Sequence, residues 1–422
     1  MSAAVAAQQA PSTADDNNAH ATPITLASQF FDHDFVNYFV FANGIYDTTV
    51  PILQGSQTVT GGTFGWDVGG GITASRELHD GEFSVSYRGD YRSYIDSAYS
   101  SGTNQSLLLA FDKRLSRHWT FFTTQSAGIL DYGGGSYSVT PTVVSSVAPN
   151  PFSSQARFVD SSISLAYQQT RRLSYIFSGN FYLNNYNYGG AISSIGGSGS
   201  ASIQYRLTAR TSIAGTYSRT YYTYNKGVGQ TTLDGYSLTL AHQFADHWEA
   251  SISAGVNRSH TSGTISIPIA LLFGQQVVTG YEIGAYDRVS YTPSVQATVT
   301  HYLRHSSLSF SAGQGVVPGN GTFLTSRDQF ANGTYSYSTR RSNISFGGGF
   351  FRLESIANNI SQSYNSSNLS FSYGHTLRRF LAVNFRYDYL RYGGLFSYGG
   401  LNDNRFTFGF SLSSKSVPIT LY

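Results

Sequence analysis

The chain contains no cysteine and a single methionine. Without cysteine there is no disulfide framework, no thiolate metal site and no cysteine nucleophile. Charge is scarce as well. Asp, Glu, Lys and Arg make up 12% of the 422 residues, about half the usual share. The net charge of +3 is too small to argue for nucleic acid or for anionic lipid as a partner. Long hydrophobic runs are also missing. The most apolar stretches, 35–42 and 265–273, are far too short for a transmembrane helix. That absence says nothing of barrels, because an alternating strand averages to near-neutral hydropathy.

What the chain has in abundance is aromatic and small residues: 32 Tyr, 29 Phe and 44 Gly. Leu and Glu are scarce, while Ser and Thr are common. That balance favours strands and turns over helices. The stretch EFSVSYRGDYRSY, 82–94, shows how they are arranged. Phe83, Val85, Tyr87, Gly89 and Tyr91 alternate with Ser84, Ser86, Arg88, Asp90 and Arg92. A period of two describes a strand with one apolar and one polar face.

The same alternation recurs along the chain, as in Trp248, Ala250, Ile252, Ala254 and Val256, or Phe406, Phe408, Phe410 and Leu412. Short polar, mostly basic punctuation joins the strands in pairs: LHDG (78–81), LSRHW (115–119), TRRLS (170–174), LTART (207–211), ADHWE (245–249), LRHS (303–306), TRRS (339–342) and LRRF (377–380). Successive markers in these turns lie 37, 54, 38, 37, 58, 36 and 38 residues apart. The unit is therefore a hairpin of roughly 37 residues, with two insertions at 132–156 and 260–287.

Extended to both ends, the spacing predicts strands at 35–47, 63–76, 82–95, 104–114, 118–131, 157–169, 173–186, 198–206, 211–224, 235–244, 248–259, 288–301, 306–317, 328–338, 342–354, 364–375, 380–392 and 403–414. That is eighteen, with sixteen as the fallback. The first is the weakest, because FVNYFVFANGIYD has no clean alternation. No four-strand blade signature of a propeller is visible, and the chain does not break into sandwich units of about 100 residues. Tight basic turns alternating with long Gly/Ser/Asn-rich loops instead fit a single all-β transmembrane antiparallel up-and-down barrel.

In this pattern the chain resembles the porin-like outer-membrane β-barrels of bacteria with two membranes. The resemblance covers 35–422 and lies in the hairpin repeat, not in a motif. It implies short periplasmic turns, long extracellular loops, and a last strand read by the barrel-assembly machinery. NRFTFGFSL, 404–412, has the alternating aromatics of such a strand, although the chain runs on through SSKSVPITLY to Tyr422. Residues 1–33 read as a flexible leader or signal remnant ending small-residue Ala4-Val5-Ala6, and 34–422 as the barrel. The reading expects no plug domain before the first strand and no soluble domain after the last.

A lipid-facing apolar side leaves the polar side to the lumen. An Arg turned toward lipid near the midplane would cost about 2–4 kcal/mol. By parity Asp67, Arg88, Asp90, Arg92, Arg386, Asp388 and Arg405 point inward, on strands that meet at the seam of the closed sheet, with Asp112 the nearest addition. The middle strands line the lumen with Ser290, Thr292, Ser294, Gln296, Thr298 and Thr300. These eight charged residues are the candidate pore-lining site. Two readings stay open, a paired group that stiffens the seam and a patch that polar solutes pass.

Other chemistry is thin. Asp32-His33-Asp34 lies in the leader, and His79-Asp80 and Asp246-His247 lie in turns where polar residues are ordinary. There is no GxSxG, no metal-ligand spacing, and the GGG runs at 69–71, 133–135 and 347–349 lack the Lys and helix of a phosphate loop. Such glycines suit close approach of aromatic neighbours. The reading is thus of a non-enzyme without cofactor or metal. A channel for small polar solutes leads; a scaffold binding partners through its outer loops, and a membrane-embedded hydrolase, follow. Expected partners are outer-membrane lipid, the assembly machinery and small polar solutes, not nucleic acid. A homo-oligomer is left open.

Overall fold

Strands with one apolar face must either bury that face or turn it toward lipid, and in lipid every backbone N–H and C=O must be paired. The computed structural model meets both demands by closing the sheet on itself. It describes residues 35–51, 58–96, 99, 101–131, 155–187, 193–225, 228–273, 276–318, 325–356, 363–393, 401–414 and 417–418. The leader at 1–33, with Asp32-His33-Asp34, and most of the 132–156 insertion lie outside the described residues.

Eighteen antiparallel strands form the wall: β1 (Phe35–Pro51), β2 (Thr58–Leu78), β3 (Gly81–Tyr94), β4 (Gly102–Arg114), β5 (Trp119–Asp131), β6 (Gln155–Gln168), β7 (Leu173–Tyr186), β8 (Ser194–Arg206), β9 (Thr211–Tyr224), β10 (Gly229–Ala245), β11 (Trp248–Phe273), β12 (Gln276–Tyr302), β13 (Ser306–Pro318), β14 (Thr325–Ser338), β15 (Ser342–Ser355), β16 (Ser363–Arg378), β17 (Leu381–Gly393) and β18 (Leu401–Ser413). A two-residue strand, β19 (Val417–Pro418), continues the last strand against the start of β1. Each strand pairs with the next, and β1 pairs with both β2 and β18, which closes the barrel. Every strand expected from the sequence is present. The turns that carry the basic punctuation span two to four residues and share one end of the barrel.

Alternation fixes the facing. In β18, Phe406, Phe408, Phe410 and Leu412 are exposed on the outer face, while Asp403, Arg405 and Ser411 are buried. In β1 the rule is kept but disguised. Tyr38 and Val40 face outward, whereas Phe39, Phe41 and Ile45 face inward and are buried. Apolar residues on both faces erased the period-two signal, which is why this strand read as weak.

Glycines in β2 admit those rings. A Cβ at Gly71 would lie 2.6 Å from the Phe39 ring and 2.2 Å from the Tyr87 carbonyl. One at Gly69 would lie 2.7 Å from the Phe41 ring. Phe39 and Phe41 stack with centroids 6.2 Å apart and planes at 13°.

The insertion at 260–287 is not a loop. β11 and β12 run on through it as a continuous ladder to Phe273↔Gln276. They are 26 and 27 residues long, against the 9–11 or so that span a bilayer. The ribbon therefore stands well clear of the wall.

Candidate functional site

The interior beside the seam is built by register. Across the ladder, Asp388 lies opposite Arg405, and Arg405 opposite Asp47. Asn43 lies opposite Asp67, and Asp67 opposite Arg92. One strand further on, Asp90 faces Asn104. Seven of the eight residues expected from parity thus come together. Asp112 does not: it sits at the turn end of β4, opposite Glu82.

Within the group two environments differ. The first is locked. Arg405 Nε donates to Asp47 Oδ2 at 2.9 Å, and its Nη2 also bonds Asp47. Tyr94 donates its hydroxyl to the same carboxylate at 3.0 Å, and Asp403 stands 3.9 Å from Arg405. The Arg405 side chain is 4% exposed and that of Asp47 is fully buried. The second environment is open. Arg386 makes a fork of 2.8–2.9 Å bonds to Asp388, two residues along β17. Arg88 lies 3.7 Å from Asp90 and 4.7 Å above the centre of the Phe41 ring. Both keep about a quarter of their side chains exposed, 27% and 28%. Arg92, 3.5 Å from Asp67, is intermediate.

Asp47 and Asp403 were not foreseen. Asp403 shares the parity of Arg405 two residues on, a signal the sequence did carry. Asp47 lies in the strand whose alternation the inward phenylalanines concealed. With them the group holds four Arg (88, 92, 386, 405) and five Asp (47, 67, 90, 388, 403).

The rest of the interior carries hydroxyl pairs across strands, such as Thr216 with Ser202 at 3.0 Å, Thr239 with Ser253 at 3.1 Å and Ser259 with Ser290 at 2.6 Å. This lining is mostly neutral and polar, as the middle strands were expected to supply, with Asp160 on β6, held by Asn180 at 3.3 Å, as a charged exception. A further feature was not legible. Pairing of β12 with β13 stops at Val295↔Gln314, while β13 and β14 stay paired to Pro318↔Thr325. Pro293 has no N–H to continue the ladder, and Gln314 Nε2 donates to its carbonyl at 3.1 Å instead. The freed hairpin end leans inward. Thr325 Oγ1 meets the hydroxyls of Tyr222 and Tyr224 on β9, Thr231 on β10 and Thr261 on β11, at 3.3, 3.2, 2.9 and 3.3 Å. A hairpin that touches strands three to five places away crosses the interior, so it narrows the lumen at the long-loop end.

Between β3 and β4, at the same end, Tyr99 packs on Tyr94 and donates to the Gly61 carbonyl at 2.7 Å. Burial pushes its phenol above the usual range.

No family model matches the chain, and no curated protein matches it in sequence. Among solved structures it is similar to a BenF-like porin from Pseudomonas fluorescens Pf-5, at 10% identity over 91% of this chain and 100% of that one, with a TM-score of 0.45. It is also similar to Pseudomonas aeruginosa OccK9 (OpdG), at 11% identity over 91% and 100%, with a TM-score of 0.44. A third is Pseudomonas aeruginosa OccK5 (OpdH), at 11% identity over 90% and 98%, with a TM-score of 0.43. The barrel assignment itself stands on the chain's own strand ladder, a closed antiparallel sheet of eighteen wall strands.

Proposed function

We propose that the chain is a channel of the bacterial outer membrane that passes small polar solutes through a water-filled lumen. Its outer face is an apolar and aromatic belt, and a closed sheet of eighteen strands encloses more space than wall side chains fill. The observation that carries the reading is the partial exposure of Arg88 and Arg386 inside that closed wall. Seam reinforcement alone would bury all four arginines as it buries Arg405. The split gives each of the two earlier readings its own residues: Arg405 with Asp47 stiffens the seam, and Arg88 and Arg386 meet the solute.

Conductance of the purified barrel in a planar bilayer tests this directly. Replacing Arg88, Arg92 and Arg386 by serine leaves one Arg against five Asp. The reversal potential under a KCl gradient is expected to move toward cation preference in dilute salt. The shift should fade near 1 M, since screening shortens from about 10 Å at 0.1 M to about 3 Å. An unchanged potential in a folded, conducting variant would assign the open arginines to the wall alone. Absence of conductance in the parent would favour the second reading, in which the projecting β11–β12 ribbon binds a partner at the cell surface.

The inward hairpin supplies a separate prediction. Thr325→Val removes the hydroxyl shared by four partners, a loss of about 1–3 kcal/mol. Single-channel conductance is expected to rise, and the β13–β14 tip to become open to protease. A folded variant with parental conductance and protease resistance would show that the hairpin is held by other contacts.

A further inference from the structure

The small net charge conceals an uneven distribution on the outer face. Among the described residues, outward positions through the middle of the strands carry no Asp, Glu, Lys or Arg. Arginines return on that face near the long-loop ends: Arg157 on β6, Arg219 on β9, Arg258 on β11, Arg352 on β15 and Arg391 on β17. Inward neighbours bracket them in the burial pattern, as Ala156 and Phe158 bracket Arg157, and Leu390 and Tyr392 bracket Arg391. Counted from the turn ends of their strands, the five lie 8 to 11 residues along. At about 3.3 Å per residue and a tilt of about 40°, that is roughly 20–28 Å above the turns. It is the upper edge of an apolar band about 25 Å tall. Among the residues whose side chains are described, Asp234, Asp287 and Glu354 share this face with them, so five arginines meet three carboxylates at a similar height.

One part of this ring has a built form. Arg219, Asp234 and Arg258 lie side by side in register. Asp234 stands 3.8 Å from Arg219 and 3.5 Å from Arg258, and Tyr217 donates to it at 3.1 Å. One carboxylate shared by two guanidiniums leaves a positive charge over, and the two Arg side chains are 65% and 46% exposed. Directly toward the membrane centre lies an apolar groove of about 810 Å³, lined by Tyr175, Phe177, Ile203, Tyr217, Tyr236 and Leu238. Its floor includes Gly215, where an added Cβ would meet nothing within 4 Å.

We propose that this face holds a phosphate-bearing lipid of the outer leaflet, its phosphate on Arg219 and Arg258 and an acyl chain in the groove. The charge is complementary, and the depth matches the headgroup level. The groove runs from that level into the apolar band, as an acyl chain must. Bidentate guanidiniums suit phosphate oxygens, and both remain accessible beside the one carboxylate they share.

The test uses the full folded chain in detergent and native mass spectrometry, with phosphatidic acid and phosphatidylcholine of identical acyl chains as probes. The parent is expected to retain phosphatidic acid in preference to phosphatidylcholine. Each arginine adds about fivefold to that preference, from roughly 1 kcal/mol per basic residue near the charged surface. R219Q/R258Q should retain one tightly held phosphatidic acid fewer than the parent. Gly215→Trp, which fills the groove and keeps both arginines, should lose the same one. Unheated gel mobility confirms folding, and Gly215→Trp carries the test if the double variant does not fold. Equal retention of the two lipids by the parent, or full retention by both folded variants, would overturn the proposal. So would displacement of the lipid by excess inorganic phosphate, since that would mark a site for the free anion.

Discussion

Replacing Arg405 by methionine is expected to destabilise the folded barrel by about 3–5 kcal/mol, the cost of leaving a buried carboxylate without its counter-charge. The cause lies in what remains. Asp47 is fully buried and receives its charged hydrogen bonds from Arg405, together with the Tyr94 hydroxyl. Asp403 stands close by and would add repulsion once the guanidinium is gone. Arg386→Met is the control. That side chain is 27% exposed, so its removal opens a path for water to the buried Asp388, and Arg405 still stands opposite that carboxylate; the loss should be smaller than for Arg405→Met. Combining Arg405→Met with Asp47→Asn should recover much of the stability, because both charges leave together. Urea unfolding followed by the mobility of unheated protein on gels measures these three variants against the parent. Equal midpoints for Arg405→Met and Arg386→Met would show that the locked and open environments do not differ energetically.

The second large effect concerns facing. Phe408 is 53% exposed on the outer face, five residues from the turn end of β18 at Ser413. At about 3.3 Å per residue along a tilted strand, that is close to the middle of the apolar band. Phe408→Arg should therefore cost about 2–4 kcal/mol. Ser164, on the inner face of β6 beside Ser178, takes the same change into water. Ser164→Arg is expected to fold with nearly the parental midpoint in lipid vesicles. If the two variants fold equally well, the outer face is not in contact with hydrocarbon.

Several parts of this architecture were legible because they are local. Strand existence, number and facing follow from a period of two between turns, and the turns are marked by short basic segments. Parity alone placed Arg88, Asp90, Arg92, Arg386 and Asp388 on the inner face. It would have placed Asp403 there too, from its distance of two residues to Arg405. β1 was harder, because Phe39, Phe41 and Ile45 are apolar residues on the inner face and only the glycines of β2 make room for them. That fit depends on a neighbouring strand, not on β1 itself.

By itself the sequence determined the alternating strands, their hairpin order and which side chains share a face, since each depends on residues adjacent along the chain. Only the tertiary structure decided what meets across strands. The pairing of β1 with β18 brings Asp47 to Arg405 over 358 positions of sequence. The end of the β12–β13 ladder sends Thr325 across the lumen to β9, β10 and β11. The similar height of five outward arginines follows from strand positions counted from the turn ends. Register and closure are set by the summed pairing of the whole sheet, so no local pattern states which inward arginine will be locked and which left open to water.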